Sequence, residues 1–133
     1  MNRYHCNMIT GTGSYLPERR IKNTDFLNCS FYDPSGKKLE KDNREIIDKF
    51  LEITTIAERR YVRDHVKTSD IACWAGEAAI DAAGIDKESL DYIIVAHNFG
   101  DVTSSGGHSD LVPSLAARVK HLLKRGGVGH AWI

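Results

Sequence analysis

Apolar residues recur at helical spacing in three stretches of the chain and run without a break in a fourth. Ile46, Ile47, Phe50 and Leu51 fall on one face of a helix. Asp42 stands where it can cap that helix, with Glu45 three residues on, as in a capping box. β-Branched residues gather at Ile53-Thr54-Thr55 and mark its end. The strongest helical stretch starts at Thr68-Ser69-Asp70 and carries Ile71, Ala72, Trp74, Ala75, Ala78, Ala79 and Ala82. Gly84 suits the residue that follows, because glycine takes a positive φ freely. The alanine-rich face suits close packing on a sheet. Pro113 opens a third helix, Ser114 to Leu123, with Leu115, Val119 and Leu122 on one face. The unbroken run is Tyr92-Ile93-Ile94-Val95-Ala96, within a strand expected over Leu90 to His97. Strands without alternation are usually covered on both faces, which predicts a parallel or mixed sheet.

Between these stretches the pattern predicts smaller elements. Tyr4 to Gly13 reads as a strand centred on Met8-Ile9-Thr10, with Gly11 and Gly13 freeing the backbone at its end. Pro17 keeps a helix from starting there. Asn23-Thr24-Asp25 starts a short helix expected to reach about Phe31. Tyr32 to Asn43 is a polar loop, and Glu58 to Val62 a short, highly charged strand. A glycine- and serine-rich loop spans Asn98 to His108. The alternation predicts an α/β domain, and 133 residues suit one domain. After Leu123 the pattern stops: Lys124 to Ile133 suits neither strand nor helix, and reads as an out-of-frame tail. No repeat or low-complexity tract occurs.

Charge narrows the function classes. Eighteen basic and eighteen acidic residues cancel, which argues against non-specific binding to nucleic acid or an anionic membrane. A 41% apolar share is ordinary for a globular chain. No run approaches the roughly 20 apolar residues of a membrane-spanning helix, and Met1 to Asn7 has no signal-peptide pattern. The three cysteines, at 6, 29 and 73, are odd in number and lack CxxC spacing, which favours a reducing, cytoplasmic compartment.

Four groups of residues could carry chemistry. Gly11-Thr12-Gly13-Ser14-Tyr15-Leu16 begins like a dinucleotide fingerprint, but Leu16 replaces its last glycine, so a turn is the better reading. His97, Asn98, Asp101, His108 and Asp110 share a loop without the ligand spacing of a metal site, and read as solvated. Cys6 and Cys73 read as small core residues. Cys29 has no neighbouring base to hold a thiolate. Arg59, Arg60 and Arg63 suit a phosphate clamp or, better, a charged edge strand.

Six segments form a recognisable series: Gly11-Thr12-Gly13-Ser14-Tyr15-Leu16-Pro17, Thr54-Thr55-Ile56-Ala57-Glu58-Arg59-Arg60-Tyr61, Thr68-Ser69-Asp70-Ile71-Ala72, Ala82-Ala83-Gly84-Ile85, Asp91-Tyr92-Ile93-Ile94-Val95-Ala96 and Val112-Pro113-Ser114-Leu115-Ala116-Ala117. In order and spacing they resemble the N-terminal portion of a 3-oxoacyl-[acyl-carrier-protein] synthase III, a condensing enzyme of the thiolase superfamily, over about residues 4 to 123. The resemblance implies an incomplete N-terminal half of a thiolase-like fold, a mixed sheet with packed helices. For the parent enzyme it implies a cytoplasmic homodimer in fatty-acid biosynthesis. That acyltransferase takes acyl groups from acyl-CoA onto a cysteine and condenses them with malonyl-acyl carrier protein. No cofactor or metal is implied.

The sequence also departs from that family. The family's nucleophile lies one strand beyond the helix that ends here at Leu123, where this chain has only Lys124 to Ile133 and no cysteine. Its histidine and asparagine belong to a second half, and His97, Asn98, His108, His121 and His130 do not match them. The usual Thr-Gly-Ile is Thr54-Thr55-Ile56, and the side chains flanking the CoA adenine have no clear match near Lys49, Phe50 and Ile53. Val112 matches a position that lines the acyl pocket of the partner subunit. The expectation is a fragment without the catalytic residues, inactive alone. Two alternatives remain: an interaction module that pairs with a full-length synthase through the Val112 to Leu123 region, and a small binding protein using the Asn98 to His108 loop.

Overall fold

The computed structural model describes residues 7–102, 109–110 and 112–124. The fold is mixed α/β, with three α-helices and two small antiparallel two-stranded sheets among those residues. It divides into two compact units, Leu16–Arg63 and a second made of Met1–Tyr15 with Asp64–Ile133.

In the Leu16–Arg63 unit, strand β1 (Arg19–Lys22) pairs antiparallel with β2 (Glu58–Tyr61), Arg19 opposite Tyr61 and Lys22 opposite Glu58. A 3-10 turn at Asn23–Phe26 follows β1, shorter than the helix expected to Phe31. Helix α1 (Asn43–Thr54) begins where the pattern placed it, with Asp42 Oδ1 accepting from the Arg44 N–H at 3.2 Å. That bond goes to the second helical N–H and Glu45 makes no return bond, so Asp42 is a simple cap and the expected capping box does not form. Ile46 and Ile47 are buried, and Phe50 stands edge-on to Phe31 with ring centroids 5.7 Å apart. Asn43 Nδ2 ties the helix start to the carbonyls of Leu27 and Cys29, at 2.7 and 2.8 Å. The polar loop after Phe31 is closed by the Asp33 carboxylate, which accepts from the Ser35 hydroxyl and from the N–H groups of Ser35 and Lys37. Those bonds, the Ser35 hydroxyl first, hold its pKa below the ordinary value.

Helix α1 stops at Thr55, whose φ is +54° and whose N–H donates to Leu51 O at 2.8 Å. Left-handed backbone crowds a side-chain Cβ, and a β-branched residue there is an outlier. Threonine thus sits in a conformation that favours glycine.

The other unit is organised by helix α2 (Thr68–Ala83) and helix α3 (Leu115–Lys124). Cys73, Val119 and Leu123 are buried together, with Ala72, Ile80, Ile93, Val95 and Leu122 packed around them. Gly84 follows α2 with a φ of +63°, as its position predicted. Lys87 Nζ donates to Leu123 O at 2.8 Å, setting a cation against the negative end of α3. Tyr15 and Trp74 stack with centroids 4.6 Å apart. A two-residue pair, β3 (Asp101–Val102) and β4 (Ser109–Asp110), lies antiparallel beyond.

Three expectations need correction. First, the described part of Tyr4 to Gly13 is not a strand, and Tyr4 to Cys6 lie outside the described residues. Gly11 and Gly13 are required by proximity, not by turning. A Cβ on Gly11 would stand 2.5 Å from Ala79 O, and one on Gly13 would stand 2.5 Å from Ala75 O. The alanine face of α2 is thus packed on this glycine segment, where a sheet was expected. Second, Leu90 to His97 forms no ladder with any other described residue. Tyr92 and Ile94 are 86% and 92% exposed while Ile93 and Val95 pack inward, so one face is covered, not two. Third, both sheets are antiparallel, not parallel or mixed. A strand needs a neighbour's N–H and C=O groups, and the apolar run itself supplies none. No helix among the described residues is long and apolar enough to cross a membrane.

Two stability predictions follow from this packing. Thr55→Gly is expected to stabilise the chain by about 1 kcal/mol, by relieving the left-handed strain. Gly13→Ala is expected to destabilise it by about 1–3 kcal/mol, because the new Cβ meets backbone that cannot rotate away. Urea unfolding of both variants checks this, with Gly76→Ala as control. Gly76 lies in the α2 interior facing open space, and alanine there is expected to add about 0.5–1 kcal/mol.

Candidate functional site

The most buried polar group is Asp101, 1% exposed, at the start of β3. Its Oδ1 accepts from the Ser69 N–H at 2.8 Å, and its Oδ2 from the Ser69 hydroxyl at 2.7 Å. Ser69 lies in the first turn of α2, so a carboxylate sits against the positive end of the helix. Asp70 supplies a local cap, accepting from the Lys67 N–H at 2.9 Å, and Thr68 Oγ1 donates to Gly100 O at 3.2 Å.

Arg118 closes the cluster from α3. Its Nη1 lies 3.3 Å from Asp101 Oδ2, and its Nη2 lies 3.4 Å from Asp110 Oδ2. Asp101 and Asp110 are direct partners in the β3–β4 register, and like charges so placed repel. The guanidinium between them removes that repulsion. Its remaining bonds go to Val112 O from Nη2 and Pro113 O from Nε, both at 3.1 Å. One arginine thus holds both carboxylates and the chain entering α3.

This cluster was only half legible in the sequence. Asp101 and Asp110 were candidates as loop ligands, but the structure makes them partners of Arg118. Arg118 was not singled out, although a signal existed. It stands among Leu115, Val119 and Leu122 on the inward stripe of α3, and a cation there demands a carboxylate. His97 and Asn98 are exposed and His108 lies outside the described residues. Among the described residues no three His, Cys, Asp or Glu side chains gather to hold a metal.

The other candidates separate. Arg59 Nη1 donates to Asn23 Oδ1 at 2.8 Å, and Arg60 Nη1 to Pro17 O at 3.2 Å. Arg63 lies 3.8 Å from Glu18, both well exposed, where an ion pair contributes little. Arg59 and Arg60 are adjacent in β2, so their side chains leave opposite faces and form no clamp. Charged strand residues with structural partners are the reading that fits. A cavity of about 130 Å³ lies between Asn23, Phe26, Phe31, Ile47, Phe50 and Arg59. Its lining is mostly apolar and holds no nucleophile or titratable base. Lys49 is salt-bridged to Glu52 at 2.8 Å, and Ile53 is exposed.

Cys73 is buried and Cys29 exposed, and Cys6 lies outside the described residues. Burial, and next the charges of Glu77 and Asp70, push the Cys73 thiol above its ordinary pKa. That is the reverse of what an attacking thiolate needs. Val112 is 86% exposed, and only its carbonyl has a described partner. His121 is exposed on α3, and His130 lies outside the described residues. No family model matches the chain.

Removing Asp101 leaves the buried Ser69 N–H and hydroxyl without their acceptor and Arg118 with only the exposed Asp110. Asp101→Ala is therefore expected to cost about 3–5 kcal/mol, against a smaller loss for the exposed Asp110→Ala. Chemical unfolding of the two variants tests that order. The thiols offer a second check. Iodoacetamide is expected to label Cys29 in the native chain and Cys73 only after unfolding. Because the folded state raises the Cys73 pKa above its ordinary 9.0, the unfolded chain loses that proton first as pH rises. The thiol's contribution to stability is present below pH 9.0 and declines above it. Urea midpoints from pH 8 upward, compared with Cys73→Ala, read it directly.

Proposed function

We propose that residues 4–123 are the N-terminal portion of a condensing enzyme of the 3-oxoacyl-[acyl-carrier-protein] synthase III type, with a thiolase-like fold in the complete enzyme. The 133-residue chain on its own does not form the acyl-thioester. The observation that carries the reading is the order and spacing of the six sequence segments. The parent reaction is acyl transfer from acyl-CoA to cysteine, then condensation with malonyl-acyl carrier protein, in a cytoplasmic homodimer.

Physical details agree with it. Thr55 adopts a left-handed φ of +54° at the position where the family pattern has glycine. Gly11 and Gly13 in the first segment approach the α2 backbone too closely for any side chain. Ser69 and the Val112-Pro113 peptide, in the third and sixth segments, are bonded to Asp101 and Arg118. The segments that carry the resemblance are therefore joints of the fold. The buried Cys73, with its raised pKa, supports inactivity alone. The pairing-module reading draws on Val112, which is exposed. The apolar face of α3 is already committed to the Cys73 core, leaving that reading little surface.

A chimera tests the proposal. Residues 4–123 are exchanged for the corresponding segment of an active synthase III. The expected result is a soluble enzyme that takes radiolabelled acetyl groups from acetyl-CoA, while the 133-residue chain takes none. A folded but inactive chimera, or stoichiometric thioester on the 133-residue chain, overturns it.

A further inference from the structure

We propose that the cavity in the Leu16–Arg63 unit is a binding site for a small aromatic carboxylate, which sets its ring among the phenylalanines and its carboxylate on Arg59. The cavity holds about 130 Å³, and Asn23, Phe26, Phe31, Ile47, Phe50 and Arg59 line it. All six residues belong to this one unit. An apolar cavity of roughly 150 Å³ lined by aliphatic and aromatic side chains stays dry and takes benzene. The volume therefore suits a single six-membered ring and little more. Phe31 and Phe50 stand edge to face, 5.7 Å apart at 72°, an arrangement that a third ring can extend. Phe50 is 44% exposed, which puts the rim of the cavity at its ring.

Arg59 sets the charge of the ligand. Its Nη1 donates to Asn23 Oδ1 at 2.8 Å, and Asn23 Nδ2 donates to Ile56 O at 2.8 Å. Both ends of the amide are committed, so the guanidinium is held in place before a ligand arrives. Every aspartate and glutamate of the chain lies among the described residues, and none forms an ion pair with Arg59. The paired arginines are Arg20, Arg63 and Arg118, with Glu58, Glu18 and the two carboxylates of Asp101 and Asp110. A half-buried cation on the wall of an apolar cavity thus has a neutral partner, and an anion there gains a charge-assisted bond away from bulk water. The guanidinium carries several N–H groups beyond the one that Asn23 takes.

Size and charge together select the ligand. A carboxylate joined directly to a ring adds one negative charge and little volume, and benzoate is the simplest example. A neutral ring alone would leave Arg59 without an anion, and a base with its sugar exceeds the cavity. The site is independent of the condensing-enzyme reading, because none of its six residues is a nucleophile or a base.

The test is an NMR titration of the isotope-labelled 133-residue chain with sodium benzoate. Saturable shifts are expected at the amides of Phe26, Phe31, Ile47 and Phe50, with half-saturation on the order of 1 mM or below. Tm is expected to rise by about 3–6 °C at about ten times the dissociation constant. Benzene is expected to bind at least about tenfold more weakly than benzoate, and excess adenosine to leave benzoate bound. That preference is read in the native chain and needs no variant. Arg59→Met keeps an apolar stem without the charge, and is expected to lose the preference while still taking benzene. Ile47→Phe fills the cavity and is expected to abolish binding of both. No saturable shift, benzene bound as tightly as benzoate, a preference that survives Arg59→Met, unchanged binding in Ile47→Phe, or displacement by adenosine overturns the proposal.

Discussion

A carboxylate excluded from water governs the helical unit. Asp101, at 1% exposure, needs hydrogen-bond donors in place of water. It has the Ser69 N–H and hydroxyl from the start of α2 and a guanidinium from α3. These bonds fix where both helices begin relative to β3. The apolar contacts among Cys73, Val119 and Leu123 then hold them together along their length. Non-directional burial alone would let the two helices slide. The ion pair sets their register, a specificity role for buried charge that has precedent in helix assemblies.

Close approach of backbone is the second constraint. Gly11 and Gly13 and the alanines of α2 form one contact, in which the glycine side has no room for even a Cβ. Its energy comes from many small dispersion contacts at short range. In the Leu16–Arg63 unit the corresponding constraint is conformational. Thr55 turns the chain out of α1 through backbone that its own side chain resists. The compensation includes two hydroxyl bonds: Thr54 Oγ1 to Phe50 O at 2.6 Å, and Thr55 Oγ1 to Thr54 O at 2.7 Å.

These joints bear on function. A segment can resemble an enzyme family because it reacts or because it folds the same way. Here the resemblance falls on glycines, helix starts and an αL turn. On the proposed reading, such residues shape the fold and carry no chemistry of their own. Cys73 illustrates the difference, because its burial among Val119 and Leu123 suits packing and suppresses ionisation.

The sequence by itself determined the helices. Their period, the Asp42 cap, Gly84 and the β2 strand are local properties, set by side chains within a few residues of one another, and they appear within a residue or two of where the pattern puts them. Tertiary structure decided the rest. Whether Leu90 to His97 joins a sheet depends on a neighbour, and none among the described residues pairs with it. Whether Gly11 and Gly13 serve a turn or a contact depends on α2, more than sixty residues away in sequence. Asp101 and Arg118 find each other across a loop, and no local rule links a loop carboxylate to an arginine on a helix face. Pairings of this kind are fixed only when distant residues share one water-free space, and that is a property of the folded chain.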